Sequence, residues 1–489
     1  MSENQEEKKV IIKKRRERRL MRISELEKQS SREKASWPGR AIFVLLAVMM
    51  IVSVLAFGGV DVWMVGLNSI FAGLIVVFWL FEAWKSRRLV FETSPLQIPI
   101  IGLIVIGLIQ LLPLGGSAEA AETLALPPAS TLSQNPFLTR LFVIQLIIAL
   151  VFFAAALTFI DNRRRFQTMA VVVIIFGSAA AFFGVLQHFG NPEAVYGIRP
   201  ARQSNPFGTF FNQHHFAAFM EMTLGLTLGL LFSNATKVNK KIFLAAAAVI
   251  MGMALLLTGS RGGLLGFLAV LGFVMTANFL ANRENIPEDV EEDLKRYVRR
   301  RNLFLFGGGL ALLFGLFIAV LFVGGDQSLL RSLSLSRVEG DITTGRLHFW
   351  SVALQIFFDH PIIGTGFDSF GTVFSRYDTW SGAYRVEQAH NDYLQILADG
   401  GILSFVMVAA FIYLLYRQGF RSIRKNADKF AVNGAVGALA GCTGILIHSF
   451  VDFPLRTPSN ALFFLMLAAF ASVPVNFRRV YRKRIKMLE

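Results

Sequence analysis

Twelve apolar runs, each close to the length that crosses a bilayer, restrict what this chain can fold into. They occupy residues 41–60, 62–84, 96–114, 141–160, 169–189, 216–232, 242–258, 264–280, 303–323, 393–416, 431–450 and 460–475. A spanning helix needs roughly 20 mostly apolar residues, since in hydrocarbon only a helix or a closed barrel satisfies its own backbone polar groups. Of the 489 residues, 54% are hydrophobic and only 17% charged, against about a quarter charged in soluble chains. The sequence predicts an all-α polytopic membrane protein of about twelve transmembrane helices. A soluble enzyme, a disulfide scaffold and a disordered chain are excluded. The single cysteine, Cys442, lies within an apolar run and permits neither an internal disulfide nor a cysteine zinc cluster.

The net charge of +16 would suggest nucleic acid in a soluble protein. Here the excess sits in short connections between apolar runs, the pattern set by topology and anionic lipid, so membrane lipids and no nucleic acid are expected as partners. Basic connections at 85–88, 163–165, 237–241, 299–301 and 417–429 alternate with cation-poor ones. The positive-inside rule places them in the cytoplasm with both termini, which an even number of spans allows. The expected division is a basic cytoplasmic tail at 1–40, spans one to nine at 41–323, a long external loop at 324–392, spans ten to twelve at 393–475 and a second basic tail at 476–489. The first tail is too long and too acidic to be the leading part of a cleaved signal peptide. It reads as a segment touching anionic lipid or, alternatively, a partner.

Sorting the cations by side is informative. Every lysine falls in an expected cytoplasmic segment, whereas the external cations are all arginine: Arg140, Arg199, Arg202, Arg261, Arg331, Arg337, Arg346, Arg376, Arg385 and Arg456. Arginine stays charged, and its planar fork matches phosphate oxygens two at a time. A side exposed to a phosphorylated anionic ligand would select this pattern, and a chance distribution of a few tolerated cations is the other reading.

Within that set, Arg261 sits in a tight Thr-Gly-Ser-Arg-Gly-Gly turn between two apolar runs. An ionised group at the membrane surface needs either a partner, which makes it a functional candidate, or a route to the headgroups by snorkelling. In the long loop, Thr343 and Thr344 offer an N-cap for a helix running through Trp350, Ala353 and Phe357 to the Asp359-His360-Pro361 stop. Arg346 then lies in the first turn, where free amides favour an anion. Gly364-Thr365-Gly366 with Gly371 lacks the spacing and the enclosing strands of a nucleotide fold, and reads as a turn.

Histidine completes the candidates. Ala389-His390-Asn391-Asp392 opens the tenth span at the external surface, where a histidine can accept a proton from a sugar hydroxyl or serve the structure alone. His448 and Asp452 are four apart at the end of the eleventh span and therefore expected on one face, as a tuned pair or a helix-end lock. His214 and His215 cannot both point the same way on a helix, and no H-E-x-x-H or comparable set accompanies them, so no metal is expected.

Four stretches in this order resemble the O-antigen ligase and polysaccharide polymerase superfamily. They are GTFFNQHHFA at 208–217, TGSRGG at 258–263, GRLHFW at 345–350 leading to PIIGTG at 361–366, and AHNDYLQ at 389–395 leading to GGI at 400–402. The likeness covers roughly 207–452; the first five spans match in hydropathy alone. Where relatives usually show Glu-x-Gly after the histidine helix, this chain has Asp399-Gly400-Gly401.

The resemblance implies a GT-C-like membrane glycosyltransferase with the long, partly helical external loop between spans nine and ten. It would take a glycan from an undecaprenyl-diphosphate carrier on the outer face of the bacterial inner membrane, without metal, nucleotide sugar or other cofactor. The acceptor would be a hydroxyl of lipid A core in a ligase, of another lipid-linked glycan in a polymerase, or of a protein in an O-oligosaccharyltransferase. Carried over by motif, His390, Arg261 and Arg346 would be catalytic. Arg199, Arg202, His214, His215, Asn391, His448 and Asp452 are candidate substrate-binding residues. A transporter or flippase of a lipid-linked anion would also want external arginines, but the spans show no interrupted, mirrored helices. A non-catalytic scaffold leaves the Arg and His motifs without use.

Overall fold

The computed structural model describes residues 36–114, 131–190, 193–200, 205–233, 238–284, 345–379, 386–426, 428–472 and 485–486, with positions 236, 300 and 307. Thirteen α-helices lie in these stretches. They are α1 Trp37–Leu55, α2 Val62–Ser86, α3 Gln97–Gln110, α4 Pro136–Phe159, α5 Arg163–Gly190, α6 Gln213–Leu231 and α7 Val238–Leu257. There follow α8 Arg261–Glu284, α9 Arg346–Asp359, α10 Phe370–Tyr377, α11 Asp392–Lys425, α12 Lys429–His448 and α13 Pro458–Ala471. Strands are two-residue pairs: β1 Arg88–Leu89 with β4 Ile485–Lys486, and β2 Ala194–Val195 with β3 Arg199–Pro200. The chain is an all-α polytopic membrane protein.

Eleven of the twelve apolar runs are helices, and the ninth, 303–323, lies outside the described residues except for position 307. Eight helices among the described residues are long and apolar enough to cross a membrane: α1, α2, α4, α5, α7, α8, α11 and α12. Two runs give shorter helices than their apolar length suggested, since α3 and α13 have 14 residues each. At 1.5 Å per residue such a helix falls short of the hydrocarbon thickness. Pro113 follows the end of α3, while α13 is buried along nearly its whole length against protein. Side chains such as Val44, Ile70, Leu80, Ile175 and Phe243 face outward as an apolar surface suited to lipid.

The bundle is organised around α6, in which every residue from His215 to Leu230 is buried. Its approach to α12 depends on glycine. Gly225 and Gly229 of α6 meet Gly437 and Gly441 of α12 so closely that a Cβ on any of them would strike the facing backbone. Small residues four apart on both helices let backbones replace the side-chain layer, the usual basis of close helix contact in membranes.

α11 is broken by design of its sequence. Gly401 has φ +64° within a helix of 34 residues, a left-handed position suited to glycine. The amides released at the break are taken up by the preceding loop, with Ile402 N–H donating to Pro361 O (2.8 Å) and Leu403 N–H to Ile362 O (3.3 Å). In return Thr365 N–H reaches Ala398 O (3.1 Å) and Gly366 N–H reaches Asp399 O (3.0 Å). Gly364 and Gly366 both have positive φ, so the turn read from the sequence is present, and it seats the loop in the break. Gln110 at the end of α3 ties both partners, donating from Nε2 to Ile363 O (2.6 Å) and Asp399 O (2.9 Å).

A charged lock completes this junction. Asp399 is fully buried and accepts from Phe370 N–H (2.9 Å), Asp368 N–H (3.2 Å) and Arg456 Nη2 (2.5 Å). Arg456 Nη1 also donates to Asp368 (2.6 Å). The departure at Asp399-Gly400-Gly401 is thus where α10, α11 and the segment before α13 are joined. Replacing Arg456 by Ala leaves a buried carboxylate uncompensated and should lower stability by about 3–5 kcal/mol. A thermal midpoint in detergent equal to wild type would contradict this lock.

Candidate active site

Arg163 pairs with Asp428 (3.3 Å), joining the N-termini of α5 and α12 at one end of the bundle. At the opposite end, the N-termini of α6, α8, α9 and α11 gather around the turn that follows α12. Helix N-termini present unpaired amides and the positive end of the helix dipole, which favour an anion.

Asp452 lies in that turn and is 1% exposed. Its Oδ1 accepts from Phe453 N–H (2.9 Å) and from His390 Nδ1 (3.2 Å). Its Oδ2 lies 3.9 Å from Arg346 Nη2. Burial alone would raise the carboxyl, but the His390 hydrogen bond and the neighbouring imidazoles of His214, His390 and His215 outweigh it, holding Asp452 well below the usual carboxylate range.

His390 is placed by its backbone as much as by its ring. It has φ +50°, a left-handed conformation that costs energy for a residue with a side chain. Asn391 then caps α11, accepting from Tyr393 N–H (3.0 Å) and Leu394 N–H (3.1 Å) while donating to Phe450 O (2.9 Å). Asp392 N–H donates to Ser449 O and Asp452 O, tying the start of α11 to the same turn. The imidazole stands edge-on to Phe453 at 4.9 Å and faces Phe349 of α9 at 6.0 Å. About a third of the His390 side chain stays exposed, against a fifth of Arg346 and almost none of Asp452.

Arg346 is the first residue of α9, as expected, although the residue before it is Gly345 with φ +82°; Thr343 and Thr344 lie outside the described residues. Arg261 is the first residue of α8, preceded by Ser260, whose hydroxyl accepts from Gly263 N–H (3.0 Å) as the cap. The charges of Arg261 and Arg346 act on one another. Both cations therefore stand at helix N-termini, Arg346 facing Asp452 and Arg261 near enough to Arg346 for their charges to interact.

The paired histidines diverge, each toward a different helix end. His214 Nδ1 meets Ser260 Oγ (2.8 Å), and His215 Nδ1 meets Thr457 Oγ1 (2.8 Å) with its ring against Phe453. His214 thus shares Ser260 with the turn that presents Arg261, and His215 secures the segment that carries Asp452. Asn391 is likewise occupied in holding the helix end.

The structure corrects the expected pairing of His448 with Asp452. α12 ends at His448, so Asp452 lies past the helix and turns toward His390, while His448 points inward to Glu221 (2.8 Å) with both side chains fully buried. Arg199 is also differently employed. It makes a bidentate pair with Asp61 (2.6 and 3.0 Å) and lies over Phe57 and Phe211, so its charge is already answered there. Arg202, Arg331, Arg337 and Arg385 lie outside the described residues.

Sequence reasoning missed Glu221, Asp392, Asp399 and Arg456 as organising residues. For Glu221 a signal existed, since an ionisable residue inside an apolar run marks a site by default. The other three carry none at short range, because their partners come from distant segments.

Residues 246–409 match the family model described as O-Antigen ligase. That stretch, about a third of the chain, is similar to the O-antigen ligase family. It runs from α7 into α11 and carries Arg261, Arg346 and His390, whereas Asp452, His214 and His215 reach the same cluster from outside it. No curated protein matches the chain. The match supports a membrane glycosyl-transferring function of the ligase or polymerase type.

Because the folded-state pKa of Asp452 is depressed, its contribution to stability is complete above the ordinary value of 3.8 and is lost as pH falls through the folded value. Asp452→Asn should lower stability by about 2 kcal/mol at pH 7. The penalty should persist to about pH 5 and fade below about pH 4. Thermal midpoints across pH test this, and a penalty already gone at pH 5 would contradict an ionised Asp452.

Proposed function

We propose that the chain transfers a glycan from an undecaprenyl-diphosphate carrier to an acceptor hydroxyl, on the outer face of the bacterial inner membrane. The observation that carries this reading is the Asp452 carboxylate holding His390 at 3.2 Å and lying 3.9 Å from Arg346, whose charge acts on Arg261, in the turn where four helix N-termini gather. The family match to 246–409 supports it.

The chemistry suits the leaving group. Transfer breaks the bond between the anomeric carbon and the diphosphate, so negative charge grows on phosphate oxygens. Arg261 and Arg346, fixed at the starts of α8 and α9, would bind that charge without needing to reorganise. With Nδ1–H donated to Asp452, the other imidazole nitrogen of His390 holds the lone pair that takes the acceptor proton. The acceptor oxygen then forms the new bond to the anomeric carbon with inversion, and the carrier diphosphate departs. No metal enters this scheme. The acceptor belongs to lipid A core, to a second lipid-linked glycan or to a protein.

Turnover of a lipid-diphosphate-linked glycan by purified protein separates the roles. Arg261→Ala should lose about a hundred- to a thousandfold in kcat. His390→Ala should lose a comparable factor, about a hundredfold or more. Near-normal turnover in His390→Ala beside an inactive Arg261→Ala would remove the base role and keep the diphosphate role, while normal turnover in both would remove this cluster as the site and no turnover in wild type would overturn the transfer reading.

A further inference from the structure

Deep in the bundle, one ion pair lies between the two arms of the site. Glu221 of α6 and His448 at the end of α12 are both fully buried, with Nδ1 2.8 Å from Oε1. Each keeps a second polar atom, Glu221 Oε2 and His448 Nε2, without a hydrogen-bond partner among the described residues. Each side chain therefore depends on the other, and removing one strands the second in an apolar interior.

The pair is fitted directly against the N-terminal turns of α8. A Cβ on Gly266 would collide with the Glu221 carboxylate, and one on Gly262 with the His448 ring. Gly262 follows Arg261 directly, so the seat of α8 on this pair sets where Arg261 stands. On the other side, the carbonyl of His448 accepts from Asp452 N–H (3.1 Å) and Val451 N–H (3.0 Å), which starts the turn that presents Asp452. One buried contact thus lies under both the cation at the start of α8 and the carboxylate that holds His390.

We propose that Glu221 and His448 are positioning residues that fix Arg261 relative to Asp452 and His390. Neither side chain reaches the surface, so they act through these neighbours and not on substrate. The inference rests on the transfer reaction proposed above.

Turnover of a lipid-diphosphate-linked glycan is measured on the purified full chain, normalised to folded protein. Glu221→Gln retains an oxygen that accepts from Nδ1 and should stay within about threefold of wild type. Glu221→Leu and His448→Leu should lose about a hundredfold in kcat with donor KM nearly unchanged, the effect expected of a displacement near 1 Å. Because the pair acts through Arg261, Glu221→Leu should add less than about twofold to the loss caused by Arg261→Lys. If the single leucine variants do not fold, Glu221→Leu combined with His448→Leu replaces the pair by apolar residues of similar volume and carries the same test. Folded leucine variants with wild-type kcat, a loss confined to KM, or losses that multiply in full with Arg261→Lys would overturn the positioning role. Absence of turnover in the wild-type protein would instead overturn the transfer reaction itself.

Discussion

The carboxylate of Asp452 is the contact on which the site depends. It is nearly inaccessible, yet it meets a histidine from α11 and faces an arginine from α9. A buried carboxylate is stable only where donors and cations answer it. The backbone of His390 is held left-handed, and the start of α11 is bonded to the turn that carries Asp452. The same interaction that keeps the carboxylate ionised therefore orients the imidazole. Arg346 at the start of α9, with Arg261 at the start of α8 acting on it, then supplies positive charge from helix ends.

The position of α9 follows from a second buried carboxylate. Asp399 gathers Arg456 and the amides before α10, and the break at Gly401 receives the carbonyls of the loop after α9. A long segment between two apolar runs is thereby attached at its far end to the bundle. Its near end can then place Arg346 beside Asp452. Glycine serves the opposite purpose in α6 and α12, where removing side chains lets two helices meet by their backbones.

Much of the fold was legible because the bilayer imposes its own ruler. Run length located α1, α2, α4 and α5 closely, and the helix stop before Pro361 and the turn at Gly364-Thr365-Gly366 followed from backbone chemistry. Hydropathy overstated α3 and α13, since apolar character does not distinguish a crossing from a short buried helix. In the site, Arg261, Arg346 and His390 were readable as single residues at helix starts. Their partners were not. Spacing of four joined His448 to Asp452, whereas Asp452 meets His390, 62 positions away, and His448 meets Glu221, 227 positions away. Periodicity reports only neighbours on one helix, and the end of α12 falls between the two residues. The arginine pattern likewise merged cations of different employment: Arg199 is bound to Asp61 and Arg456 to Asp399, while Arg346 faces Asp452 and Arg261 acts on Arg346.

The most direct measurement is the gel profile of envelope glycans from a deletion strain complemented with wild type, Arg346→Ala or Asp452→Asn. Transfer from a lipid-diphosphate carrier predicts that wild type restores the profile and both variants fail at normal protein level. Single lipid-linked repeats accumulating without long chains would mark a polymerase, and long chains stranded on the carrier would mark a ligase. A profile unchanged in every strain would contradict an envelope-glycan role for this site.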